Sequence, residues 1–392
     1  MDATKFELAV KTETTPGTAI ALSAADVAVR LLGDTSFNFD PDILDPDEVQ
    51  STQSPQPVAV GRVLGTIAAR YRLRGPGSVS TEPAVSDLWK MAALAPNAAK
   101  TVAIGSITSG PFLCSETITG AGGATGLVIR QTATGASAVP YIPLSGTIAS
   151  SEVITGGTSA ATATTAGAPA AAGWCYRPND DDVLTGSHAA TCKFLNDGAA
   201  WQIRGALSDI SFLFRACSYA EVTQNITGPV AAPTATALFS PTYPEETGAS
   251  RGAPKMDNDA GLTLGSYEPI DVEELTLNFP SQISPRMDIN GGFGNCVRTM
   301  NYRRETPTLA IAPALVLPAT YDYFSKLTAE TLSYCEFTHG SGTGKTWRVC
   351  MPQTQITELG WASKDPALTT APIVMRCCEG NTGNDEVLIW VT

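Results

Sequence analysis

The chain is short of the residues that chemistry uses. It has 2 His among 392 residues, and it contains no H-E-x-x-H, G-x-S-x-G or dinucleotide fingerprint. The usual zinc-hydrolase, serine-hydrolase and nicotinamide patterns are therefore missing. Charged residues make up only 16%, little for a subunit that stays in solution alone; burial between subunits accounts for the shortage. Lys plus Arg number 25 against 38 Asp plus Glu, a net charge of −13. That balance argues against a protein that grips nucleic acid through a basic face, but not against one that lets DNA pass. No apolar run reaches the roughly 18 residues of a spanning helix; LAIAPALVL (309–317) is interrupted by Pro313. The first ten residues carry Asp2, Lys5 and Glu7 and have no signal-peptide core. These features predict a soluble protein that is not exported by a cleaved signal. The 9 Cys are odd in number and form no C-x-x-C pair, which predicts free thiols in a reducing cytoplasm.

What is abundant is punctuation. The 35 Gly and 27 Pro mark short strands and turns. One stretch, HGSGTGKT (339–346), imitates a phosphate-binding loop. Gly344, Lys345 and Thr346 fit that pattern, but His339 stands where its first Gly belongs. LSYCEFT before it and TWRVCMP after it both alternate apolar and polar, and Pro352 opposes a following helix. The flanks read strand–loop–strand, so the stretch is expected to be a hairpin tip. The acidic stretches 40–48, 179–182 and 257–259 read as solvated loops, and Asn225-Ile226-Thr227 is a glycosylation triplet by pattern only.

Two levels of repetition organise the chain. Between Thr101 and Gly173 the charged residues are Glu116, Arg130 and Glu152, and SETITG (115–120) recurs as SEVITG (151–156). This predicts a small inserted β module with too few large apolar residues for a strong core of its own. Around it runs a longer repeat. SFNFDP (36–41) matches TLNFPS (276–281). Helices are expected at 83–96 and 318–332, each opened by Pro; in the second, Tyr321, Phe324 and Leu327 share a face. CKF-x6-WQI (192–203) then matches CEF-x9-WRV (335–349). The expected organisation is an N-terminal arm (1–29), a first β domain (30–100 and 173–228) split by the insertion (101–172), a linker (229–264) and a second β domain (265–392).

KTETTPGTA (Lys11–Ala19) resembles the opening arm of major tail tube proteins of long-tailed, non-contractile bacteriophages. The helix ending LWKMAALAP, the hairpin FLNDGAAWQIRGALSDISF, and WRVCMPQTQITEL followed by PIVMRCC are similar to that family too. The resemblance covers most of the chain outside 101–172. It implies a mainly β fold: two tail-tube-type β-sandwich domains, each with one flanking α-helix, plus the inserted module facing outward. It implies a structural virion protein, not an enzyme, that polymerises into stacked rings as the conduit for genome ejection. The expected ring is a homotrimer with pseudo-sixfold symmetry, otherwise a homohexamer. Tape measure, tail terminator and distal tail proteins are its expected partners, with phage DNA passing through the lumen unbound and no membrane contact. Its place is the virion tail, assembled in the bacterial host cytoplasm. No catalytic, cofactor-binding or metal-binding residue is assigned, and no cofactor is expected. Other readings are a different repeated-β virion component, such as a decoration or baseplate protein, or a carbohydrate-binding β module of a bacterial surface protein.

Overall fold

The computed structural model describes residues 6–45, 57–133, 135–179, 188–241, 243, 261–269, 271–289, 297–365 and 368–392. The chain is mainly β, with large antiparallel sheets and, among the described residues, two short α-helices. Its strands fall into two units of one plan. In the first, Phe6–Thr12 pairs with Ala190–Asn196, which pairs with the first half of Gly198–Arg215, which pairs with Thr234–Thr236. This is the outer sheet. The inner sheet runs Ser36–Leu44, Ala59–Arg72, Glu221–Pro229 and the second half of Gly198–Arg215. One 18-residue strand therefore serves both layers.

The second unit repeats this. Its outer sheet runs Thr263–Leu264, Ser333–His339, the first half of Trp347–Leu359 and Leu388–Val391. Its inner sheet runs Glu274–Phe279, Thr308–Ile311, Ile373–Cys378 and the second half of Trp347–Leu359. Both outer hairpins shift register at the same place, between Ala190 and Cys192 and between Ser333 and Cys335. The Trp residues of the two hairpins do not correspond, however. Trp201 faces Phe194, but Trp347 faces His339, two residues beyond the equivalent Phe337–Val349 pair.

Several expected boundaries move. The first α-helix spans Ser86–Lys90, and Leu94–Ala103 is a strand; Ala93 at φ 55 ends the helical path and Pro96 opposes its resumption. The second spans Tyr323–Thr328, with Asp322 accepting from Ser325 N at 2.9 Å and Glu330 at φ 52 beyond its end. Tyr323 is its buried residue, while Phe324 is exposed. Strands Thr234–Thr236 and Thr263–Leu264 lie inside the stretch read as linker, much of whose remainder falls outside the described residues.

The two inner sheets are one sheet. Ile210 to Arg215 pair with Phe279 to Glu274, side by side along the joint, so eight antiparallel strands run continuously from Ser36–Leu44 to Trp347–Leu359. Strand period 2 sorts its faces. Tyr71, Val222, Phe212, Leu277, Leu309, Met375 and Ile356 form one row across seven strands, every member buried. Arg70, Thr223, Ser211, Asn278, Thr308, Arg376 and Gln355 form the neighbouring row on the other face, none of it buried.

The apolar face supports one core for both units. Trp89 of the first helix meets Tyr176, Phe212 and Trp347 at ring-centroid distances of 4.5, 5.1 and 5.4 Å. Its Nε1 donates to Tyr71 Oη at 3.0 Å, which donates on to Gln224 at 3.1 Å. Such buried polar groups stay affordable only when partnered in this way.

The insertion has a core of its own, contrary to expectation: Val102, Ile104, Phe112, Ile118, Val128, Tyr141 and Ile154 are among its buried members. Strands from 100–103 through Ala138–Ser145, Thr125–Val128, Thr117–Gly120, Val153–Gly156 and Thr162–Thr164 pair in sequence. The last returns to 104–108 through bridges at Ile104–Thr165 and Thr108–Thr162, closing a barrel. Closure removes the strand edges, which lets small residues suffice. The two SE-x-I-T-G repeats pair with each other, and their carboxylates are exchanged. Glu116 accepts from the N–H groups of Thr158 and Ser159 at 3.1 and 2.9 Å, and Glu152 from Gly122 N at 3.3 Å. A Cβ on Gly120 would meet Glu152 at 2.2 Å and one on Gly156 would meet Glu116 at 2.7 Å, so the glycine of each repeat makes room for the acid of the other.

Candidate assembly interface

The long sheet, rather than a pocket of reactive groups, is the candidate functional surface of this fold. Two strands stand at its ends. Ser36–Leu44 pairs only with Ala59–Arg72, and residues 355–359 pair only with Ile373–Cys378 among the described residues. Ser36–Leu44 is exposed almost throughout, and Phe39 is 49% exposed. Beyond the other end Trp361 is 68% exposed. Long open edges with apolar side chains are pairing sites unless something covers them.

The polar face carries Thr, Ser and Asn with charges mostly in pairs. Arg70 meets Glu221 at 2.7 Å and Arg215 meets Glu274 at 2.8 Å. Asp209 accepts from Asn225 Nδ2 at 2.8 Å; burial pushes its carboxyl above the ordinary value, against the lowering effect of the Asn225 bonds. Glu358 stands at the corresponding place in the second unit, opposite Val374 as Asp209 is opposite Asn225.

Each inner sheet also sends out an arm. Ser281–Met287 and Val297–Arg304 form the second unit's arm. It lies across one end of the first unit, where Val297 and Met300 bury with Leu64 and Leu207, and Tyr302 Oη donates to Ala92 O at 3.1 Å. The first unit's arm continues Ser36–Leu44 and Ala59–Arg72 outward. There Ile43, Val58 and Val60 are 57%, 51% and 62% exposed.

The HGSGTGKT stretch is a hairpin tip, since His339 pairs with Trp347. No helix follows. The Thr346 hydroxyl donates to Gly342 O at 3.1 Å, and Thr346 N donates to Thr392 O at 3.2 Å, so the Thr that would hold a metal ion in a phosphate loop is engaged within the chain. The tip docks within the chain: Gly77 N donates to Gly344 O at 3.0 Å, and a Cβ on Gly75 would lie 2.0 Å from that oxygen. Its glycines allow two backbones to touch. The N-terminal motif has a similar plain role. Glu13 accepts from Gly17 N at 2.5 Å, Thr191 Oγ1 at 2.7 Å and Gly205 N at 3.0 Å, and Gly17 turns at φ 79. The motif pins the N-terminal segment to the outer sheet.

The insertion is tied to the second unit. Its stem strands Leu94–Ala103 and Ala170–Pro178 pair together, and the latter pairs with Leu388–Val391. Arg130 Nε lies 2.6 Å from Glu336. Asp385 accepts from Ser115 Oγ, Gly380 N at 2.8 Å and the N–H groups of Asn381 and Thr382 at 2.9 Å.

Comparison with known protein families finds no match for this chain, and comparison with curated proteins finds none either.

Proposed function

We propose that this chain is a structural subunit of a phage tail tube, three copies closing head to tail into a ring through the ends of their inner sheets. The observation that carries the reading is the eight-stranded sheet made of two equivalent halves. Its internal joint pairs the last strand of one half with the first strand of the next. Repeating that joint between chains places the segment from Leu359 onward of one copy beside the stretch ending at Phe39 of another. Leu359 corresponds to Ile210, and Phe39 to Phe279. These two positions face each other in the internal joint, so Phe39 of one copy meets Leu359 of the next. Identical head-to-tail joints between units give a ring where their rotation closes, and the ring proposed here closes after six units. Three chains of eight strands make a barrel of about 24 strands; barrels of roughly 16 to 18 already leave an aqueous channel.

The buried row then faces outward into each sandwich and the Thr/Ser/Asn row lines the lumen. A wall of neutral polar groups and mostly paired charges, in a chain of net charge −13, offers phosphates little to hold. This suits the resemblance at 11–19: rings stack, DNA passes unbound, and tape measure, terminator and distal tail proteins meet the tube in the virion. Electron microscopy of the purified full-length chain, concentrated stepwise, tests the reading. Rings and hollow tubes are expected, with Phe39→Pro abolishing both by removing a ladder donor. Discrete monomers after long incubation at high concentration would overturn it.

A further inference from the structure

The ring reading rests on one internal joint, and the internal arm contact extends it. We infer that the first unit's arm seats in a cleft on the second unit of a neighbouring copy within the same ring, as the second arm seats on the first unit inside the chain.

The two arms correspond in register. Asn38 pairs with Thr66 as Asn278 pairs with Thr308, and Ile43 faces Val60 as Ile283 faces Tyr302. Val58 then takes the place of Met300. Met300 is 2% exposed under the first unit, whereas Val58 is 51% exposed. The same apolar stripe is thus covered in one arm and open in the other. An exposed apolar stripe whose twin is buried marks a contact the isolated chain cannot make.

The seat is present too. Leu207 and Leu64 receive the second arm. Leu207 pairs with Thr227 and Thr227 with Thr66; Gln355 pairs with Arg376 and Arg376 with Thr308. Gln355 and Thr306 are therefore the counterparts of Leu207 and Leu64. Thr306, Arg376 and Cys378 line an open cleft of about 430 Å³, together with Glu305, Glu379 and the Arg304–Glu386 pair. Arg376 donates to the Thr306 hydroxyl at 3.2 Å, and no carboxylate pairs with it among the described residues. The arm brings Asp42 and Asp45, both exposed. The seat has changed from apolar to polar with charges of both signs, and within it Arg376 is the cation that the acids beside the arm's apolar stripe can meet.

Two variants of the full chain test this. Ile43→Asp/Val60→Asp changes residues exposed in the single chain, so its thermal unfolding should match wild type while its ring yield falls at least tenfold. Val58→Cys/Thr306→Cys, oxidised after assembly, should give a covalent ladder that stops at three chains. Rings from the Asp variant at wild-type yield, or no cross-link in well-formed rings, would overturn the arm contact and leave the ring standing. A ladder running past three chains would also overturn it, since the arm would then bridge rings. Wild-type chains that never form rings would overturn both proposals.

Discussion

The first and second units share a plan but not their surroundings. The first hairpin tip, Asp197-Gly198, turns in two residues with φ 33 and 98 and touches nothing across a Cβ at Gly198. The second, 340–346, is pressed against Gly75–Ser78 of the first unit. The first arm is exposed and the second is covered. The first outer sheet ends at Thr234–Thr236, while the second continues through Leu388–Val391 into the stem of the insertion. The second copy's tip, arm and outer-sheet edge all make contacts within the chain. The first copy keeps the corresponding surfaces open, as expected if they are completed by another chain.

The strongest way to break this comparison is at the docked tip. A Cβ on Gly344 would stand 2.2 Å from Ser78 N and 2.3 Å from Gly77 C, and its φ is 68. Backbone lies on both sides, so no side chain can rotate away. Gly344→Ala should cost about 3 kcal/mol or more, combining overpacking with left-handed strain. Chemical denaturation of the full chain measures it. A loss below about 1 kcal/mol would mean that the tip yields, and that the two tips differ in length only.

The fold class was legible because strand alternation and turn residues are local signals. SFNF and TLNF stand at equivalent inner-sheet positions, and the hairpin reading of 339–346 agrees with the His339–Trp347 pair. What local pattern misses is what the strands pair with next. Nothing in SDISFLFR announces that Ile210–Arg215 pairs with Glu274–Phe279, nor in GSGTGK that its glycines meet Gly75. The insertion's core is hard to see in the sequence because Ala, Val and Ile make up most of it around Phe112 and Tyr141, and size counts for less once the sheet closes. Apolar spacing at 83–96 fits both a short helix and the strand after it, so the pattern extends past the Ser86–Lys90 helix into Leu94–Ala103.

A smaller effect is expected where the second unit holds the insertion. Burial raises the Asp385 carboxyl's pKa, but the bonds from Ser115, Thr382 and Gly380 outweigh this and hold it below the ordinary 3.8. Its folded value is therefore depressed, and its contribution is present above the unfolded value and lost as pH falls through the folded one. Asp385→Ala should cost about 2–3 kcal/mol at neutral pH by stranding those donors. The gap to wild type should close progressively below about pH 4. Thermal unfolding across pH 2–7 checks both the size and the sign; a gap that widens in acid would contradict the assignment. The first unit offers no counterpart, because its link from Pro229 to Thr234 is too short to form such a loop.

The smallest effect sharpens the comparison from the other side. Asp197-Gly198 has both φ values positive between Asn196 and Ala199, which pair across the turn, the arrangement that fits the twist of a two-residue hairpin. Ala at 198 meets no neighbour within 4 Å, so its cost is backbone strain alone, about 1 kcal/mol. Gly198→Ala should therefore destabilise the chain by roughly a third as much as Gly344→Ala, although both replace a positive-φ glycine at the tip of an equivalent hairpin. Equal losses would place the penalty in the backbone conformation. Unequal losses would place it in the joint between the units, which is where the two copies part.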